Sequence, residues 1–169
     1  QSAWDELLTR PWLSEVSPSE AFPGDTLILR GSRFSSSDRV VVGTTQLTPT
    51  VNADESISAN VPLSMSGGEK VIYVRRSDGT ESNRRTIWIK PQLDPITDAL
   101  SPGGTVTLNG RAFLSGAAVL VNGASNPANF ISANRISFTM PGTGGTGSSG
   151  GSVIVQVRNP DGFVSNGRT

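Results

Sequence analysis

The 169 residues contain neither His nor Cys. Ser-His-Asp and Cys-His catalytic sites, and zinc sites built on His or Cys, are therefore excluded. A carboxylate pair is the remaining route to acid–base chemistry. The acidic residues Asp25, Asp38, Asp54, Glu55, Asp78, Asp94, Asp98 and Asp161 mostly sit where turns are expected. Asp favours such positions because its side chain bonds nearby backbone, so solvated turn carboxylates are the plain reading. No Asp-x-Asp-x-Asp-Gly calcium loop occurs. A single calcium at a domain junction, held by Asp94 or Asp98, is left open by the sequence and required by nothing in it. The glycines between Gly142 and Gly151 are followed by no Lys and framed by no strand-to-helix pattern. They read as a flexible hairpin loop rather than a phosphate cradle. The sequence thus predicts no catalytic residue, no metal site and no cofactor, and a protein that is not an enzyme.

Binding chemistry leaves more to weigh. Arg75, Arg76, Arg84 and Arg85 cluster around one expected hairpin. Glu69, Asp78 and Glu81 lie among them, and residues 11–90 carry equal numbers of cationic and acidic side chains. A nucleic-acid face is normally basic across its domain, so the arginines are expected to keep an edge hairpin soluble. The chain's formal net charge is zero, which offers no general attraction to nucleic acid or anionic membrane. Strand alternation points Ile28, Val41, Tyr73 and Leu120 away from the expected cores. With Trp88 they form the candidate interaction surface, for the other domain or for a partner. Aromatic residues are 6% of the chain, few for a sugar-stacking platform. Trp12 and Trp88 are expected in packing roles, with Tyr73, Trp88 and Trp12 as the rings a glycan would use.

The elements that position these residues come from a duplication. Pro23-Gly24-Asp25-Thr26-Leu27-Ile28-Leu29-Arg30-Gly31-Ser32-Arg33-Phe34 is matched by Pro102-Gly103-Gly104-Thr105-Val106-Thr107-Leu108-Asn109-Gly110-Arg111-Ala112-Phe113. Val40, Val42, Ile57 and Pro62 match Val119, Val121, Ile136 and Pro141 at the same offset of 79. After Pro62 the offset becomes 83, pairing Val74-Arg75 with Val157-Arg158, Asp78-Gly79 with Asp161-Gly162 and Ser82-Asn83 with Ser165-Asn166. Each copy alternates apolar and polar residues with a period of two, the mark of strands buried on one face. Asp-Gly pairs mark tight turns. Strands about ten residues apart, with turn signals between them, predict an all-β sandwich for each copy. Nineteen Gly, eleven Pro and a charged fraction of 17% agree with that class. No stretch of eighteen apolar residues occurs, so no membrane span is expected in this chain. Gln1 in place of Met is what a processed protein, or a piece of a longer one, would show.

In each copy the order is Pro-Gly, an alternating strand, Gly-x-x-Phe, a Val-rich strand, an Ile strand running to Pro, then a Val-rich strand reaching Asp-Gly. That order resembles the IPT/TIG family of immunoglobulin-like domains. The resemblance implies two tandem early-set β-sandwiches, over residues 11–90 and 91–169, with residues 1–10 as a junction segment packed on the first. Thr86-Ile87-Trp88-Ile89 closes the first copy, whereas the second reaches Arg168-Thr169 where its closing strand would begin. That strand is therefore expected to be missing, or supplied by residues further on. The resemblance also implies a non-catalytic extracellular or envelope-associated module of a larger bacterial surface or secreted protein. The address would be extracellular, cell-surface or periplasmic. Protein partners or self-assembly, through the open edge of the second copy, are the expected contacts. The alternative is a carbohydrate-binding accessory module with glycan partners. A Rel-like DNA-binding partner is a third reading, which the charge balance opposes.

Overall fold

The computed structural model describes residues 3–142 and 152–169. Apart from Gly142, the glycine-rich stretch expected to form a hairpin loop lies outside the described residues. The chain divides into two compact units, Gln1–Pro62 with Glu69–Trp88, and Leu63–Gly68 with Ile89–Thr169.

Ahead of the first sandwich comes a short helix, α1 (Ala3–Thr9), whose Thr9 hydroxyl donates to the Asp5 carbonyl. Trp4 and Leu8 on it stay exposed, so the expected packing of this segment on the first sandwich does not extend to these two apolar side chains.

Two sheets build the first sandwich. One runs β1 (Trp12–Ser17), β3 (Thr26–Ser32), β7 (Ile57–Asn60), β6 (Thr50–Val51). The other runs β2 (Glu20–Ala21), β9 (Arg85–Ile89), β8 (Gly68–Arg75), β4 (Arg39–Val42), β5 (Thr45–Leu47). The period of two is realised in the pairing. Leu27 stands opposite Ala59 and Leu29 opposite Ile57, while Val40 faces Val74 and Val42 faces Ile72. All eight side chains are buried. Each large one withdrawn from water contributes roughly 1.5–3 kcal/mol before the entropy of ordering is set against it.

The second unit repeats the plan. One sheet runs β10 (Gln92–Leu93), β11 (Thr105–Arg111), β15 (Arg135–Thr139), β14 (Asn129–Ser132). The other runs β13 (Ala124–Pro127), β12 (Ala118–Val121), β16 (Val155–Arg158). Val106, Leu108, Ile136, Phe138, Met140, Val119, Val155 and Val157 form its core, with Phe113 among them. Among the described residues, no helix is long and apolar enough to cross a membrane.

The Gly-x-x-Phe motif does the same work in both copies. Its third residue turns the chain through the left-handed region, with φ of 62° at Arg33 and 58° at Ala112. The turn swings the Phe ring back against the Gly, and the first strand crosses there as well. Leu13 pairs with Gly31, and Leu93 pairs with Gly110. Only a residue without a side chain fits between ring and strand.

Candidate functional site

Of the five residues of the expected surface, Val41 and Tyr73 stand opposite each other on neighbouring strands, and Ile28 lies on the other sheet of the same sandwich. Ile28 lies on β3 of one sheet, Val41, Tyr73 and Trp88 on β4, β8 and β9 of the other, and Leu120 in the second unit. Ile28 and Trp88 are half-buried. Val41, Tyr73 and Leu120 are buried, with relative exposures of 3%, 6% and 7%. The expectation that these three stand exposed is corrected accordingly.

Tyr73 shows how an outward residue becomes buried. It pairs across the strands with Val41. The Arg84 guanidinium lies 4.4 Å from its ring centroid and that of Arg75 lies 5.6 Å from it. Arg75 also donates to the Tyr73 hydroxyl at 3.0 Å. Glu81 holds both cations, accepting from Arg75 at 2.7 Å and from Arg84 at 2.8 Å. Cation–π attraction over a partly dried ring adds to this covering. The bond from Arg75, then that from Arg84, keeps the Glu81 carboxyl below the usual carboxylate range. It stays ionised in mild acid where an ordinary Glu begins to protonate, so the covering persists there.

The other two arginines of the cluster also bond to backbone of the first sandwich. Arg76 donates to the Arg33 carbonyl at 2.8 Å, and its Nε lies 4.0 Å from the fully buried Asp38. Arg85 donates to the carbonyls of Leu13 and Ser14, at 3.4 and 2.7 Å. The hairpin arginines therefore bond to their own domain. The two carboxylates considered for calcium are similarly engaged: Asp94 accepts from Arg111 at 3.3 Å and Asp98 from the Thr107 amide at 2.8 Å. Among the described residues, no group of three or more His, Cys, Asp or Glu is placed to hold a metal ion.

The arrangement that recurs in both copies is a clamp on the strand where the chain enters each sandwich. The Asn83 side chain accepts from the Leu13 amide and donates to the Leu13 carbonyl, each at 2.7 Å. Asn166 does the same to Leu93, at 2.8 and 2.9 Å. The neighbouring serines brace these asparagines. Ser82 accepts from the Val74 amide and donates to the Asn83 carbonyl, and Ser165 does so with Val157 and Asn166. A third bond closes the grip, from Arg85 to the Leu13 carbonyl and from Arg168 to the Leu93 carbonyl, at 3.4 and 3.0 Å. In the first sandwich Asn83 lies two residues before β9, where the chain leaves, and Arg85 at the start of β9 bonds the same Leu13 carbonyl, so the clamp joins the entry strand to the exit strand across the two sheets. In the sequence, Ser-Asn stands out only as a repeated pair, and its partners lie 70 and 73 residues away.

Trp12, expected in a packing role, keeps 49% of its surface exposed on β1.

The IPT/TIG domain model matches residues 11–86 and again 91–169. Among curated proteins, none matches the chain in sequence. Solved structures that are similar over most of it include the following three. One is the SGBP-B of the Bacteroides ovatus mixed-linkage glucan utilization locus, in complex with a mixed-linkage heptasaccharide. It is 21% identical with a TM-score of 0.44, over 94% of this chain and 43% of that one. The second is a gamma-CGTase from alkalophilic Bacillus clarkii, 18% identical with a TM-score of 0.43, over 92% and 24%. The third is the plexin A4 extracellular region, 16% identical with a TM-score of 0.40, over 95% and 18%. The chain thus spans less than half the length of each.

Proposed function

The chain belongs to the IPT/TIG domain family in two tandem copies, and we propose that it works as a non-catalytic structural and protein-interaction module. It would belong to a larger bacterial surface or secreted protein, placed outside the cell, on its surface or in the periplasm. The observation that carries this reading is the duplicated clamp of Asn83 and Asn166 on Leu13 and Leu93. A spacer must resist being drawn out by its ends. In the first sandwich the clamp lies directly between the strand that receives tension and the strand that passes it on. Its two amide bonds and the arginine bond would have to break together before the entry strand peels away.

Asn83→Ala removes both bonds to Leu13, leaving its part-buried N–H without the Asn83 acceptor and its carbonyl with only the 3.4 Å bond from Arg85 in place of the clamp. The expected cost is about 2 kcal/mol in the first sandwich. In single-molecule pulling, the variant should lower the unfolding force of one domain and leave the other unchanged. Asn166→Ala should do the reverse. Unaltered forces in both variants would sink the spacer reading.

Carbohydrate binding is the second reading, and exposed Trp12 is the observation that favours it. Tyr73, another ring expected to serve a sugar, is buried beneath Arg84 and closed to one. A glycan array should then report a ligand that is lost in Trp12→Ala, and an array without a hit ends this reading.

A further inference from the structure

At five places in the chain Gly directly follows Asn or Asp: Asp78-Gly79, Asn109-Gly110, Asn122-Gly123, Asp161-Gly162 and Asn166-Gly167. In such a pair the Gly backbone nitrogen can reach the carbonyl carbon of the preceding side chain, because Gly carries no side chain to obstruct the approach. In four of the pairs the fold engages a reacting group. The amides of Gly79, Gly110 and Gly162 donate to the carbonyls of Arg76, Asn134 and Asn159, at 3.0, 2.9 and 2.9 Å. The Asn166 side chain is held through both its oxygen and its nitrogen by Leu93.

Asn122-Gly123 is different. It is the two-residue turn between β12 and β13, closed by the pairing of Val121 with Ala124. Both residues pass through the left-handed region, with φ of 49° and 83°, as a tight hairpin turn of this kind requires. Asn122 is exposed, and a methyl group on Gly123 would meet nothing within 4 Å. Among the described residues, neither the Gly123 amide nor Asn122 Nδ2 has a hydrogen-bond partner. Asn122 Oδ1 does have one, the Ile154 amide, which donates to it at 2.8 Å. The first copy has Gly43-Thr44 at this turn, with no side-chain amide to react.

We infer that Asn122 is a self-modifying site, where the Gly123 backbone nitrogen displaces the side-chain amide as ammonia and water converts the product to Asp or isoaspartate. The Gly123 nitrogen loses its proton and bonds to Asn122 Cγ. The Cγ–Nδ2 bond breaks, and ammonia leaves carrying a proton equivalent to the one lost. Negative charge gathers on Oδ1 as the new bond forms, and the Ile154 N–H is already aimed at that oxygen. Water then adds to either carbonyl of the succinimide ring and opens it. An amide and a water become a carboxylate and an ammonia, with nothing oxidised or reduced. In isoaspartate the main chain runs through the former side chain and is longer by a methylene. A two-residue turn has no slack for that, so the edge strand β13 loses its register against β12. The change is confined to the second sandwich and does not touch either clamp.

The test keeps the folded chain at mildly alkaline pH and follows its three Asn-Gly pairs by mass spectrometry. Arg111, Arg135 and Arg158 place them on separate tryptic peptides. Asn122 should convert at least about tenfold faster than Asn109 and Asn166, which must wait for local opening of the fold. Isoaspartate should appear in the peptide running from Ala112 to Arg135, and the ammonia released should match the carboxylate formed. In guanidinium chloride the three pairs should convert at similar rates, because the dipeptide is the same and the fold no longer sorts them. An Asn122 that stays an amide in the folded chain while converting in denaturant would overturn the proposal. Conversion of Asn109 or Asn166 in the folded chain as fast as Asn122 would overturn it too.

Discussion

Arg76→Ala is expected to destabilise the first sandwich by about 3 kcal/mol, because it strands a buried carboxylate. Asp38 is fully buried. Its Oδ2 accepts from the Ser35 amide at 2.8 Å, but its Oδ1 has no hydrogen-bond partner among the described residues and faces the Arg76 Nε at 4.0 Å. The same guanidinium satisfies the carbonyl of Arg33, the residue turned through the left-handed region. The second copy solves the problem differently. Ala117 replaces Asp38 and Asn159 replaces Arg76 at the same two offsets. The buried Asn159 amide donates to the Ala112 carbonyl at 2.9 Å and accepts from the Leu114 amide at 3.0 Å. One neutral side chain thus does what a carboxylate and a guanidinium do in the first copy. The double variant Asp38→Ala/Arg76→Asn should therefore recover most of the stability that Arg76→Ala loses. Urea denaturation reads both. A single variant within 1 kcal/mol of wild type, or a double variant no better than the single, would contradict this pairing of roles.

Gly110→Ala is expected to cost the second sandwich about 3 kcal/mol or more. The added methyl group would overlap the Gln92 carbonyl oxygen and stand 2.5 Å from Phe113 Cζ. Neither neighbour gives way easily. Phe113 is buried at 1% exposure, and Gln92 belongs to the strand that Asn166 clamps at the next residue. Gly31→Ala should do the same to the first sandwich, through the Trp12 carbonyl and Phe34. Gly142→Ala is the control, since a methyl group there meets nothing within 4 Å. Thermal melts should show a shift of more than 10 °C for Gly110→Ala and almost none for Gly142→Ala. A shift of under 3 °C for Gly110→Ala would mean that the entry strand is not pressed against the motif.

These two cases mark where the sequence could be read and where it could not. The period of two at Leu27, Leu29, Ile57 and Ala59 is local, and it placed those side chains in the core as observed. The match of Gly31 to Gly110 and Phe34 to Phe113 located the motif in both copies. Alternation tells which way a side chain leaves its strand, but not what lies over it. Tyr73 does leave on the outer face, yet Arg84, eleven positions later and held by Glu81, covers it. The clamp escaped for a related reason. Asn83 acquires meaning only when β1 is laid across the sheet that Asn83 leads into, a contact 70 residues long in sequence. The exchange of Asp38 and Arg76 for Ala117 and Asn159 likewise looks like drift along the chain and like compensation only in space.

The most direct test of the spacer reading is to pull a single chain by its two ends. Each sandwich should unfold in its own abrupt event, lengthening the chain by roughly 250 Å as about eighty residues straighten. With Asn83→Ala one of those events should move to lower force and the other should not move. A single joint event, or a gradual extension with no force peak in the unmodified chain, would contradict the proposal that two clamped sandwiches act as a tension-bearing spacer.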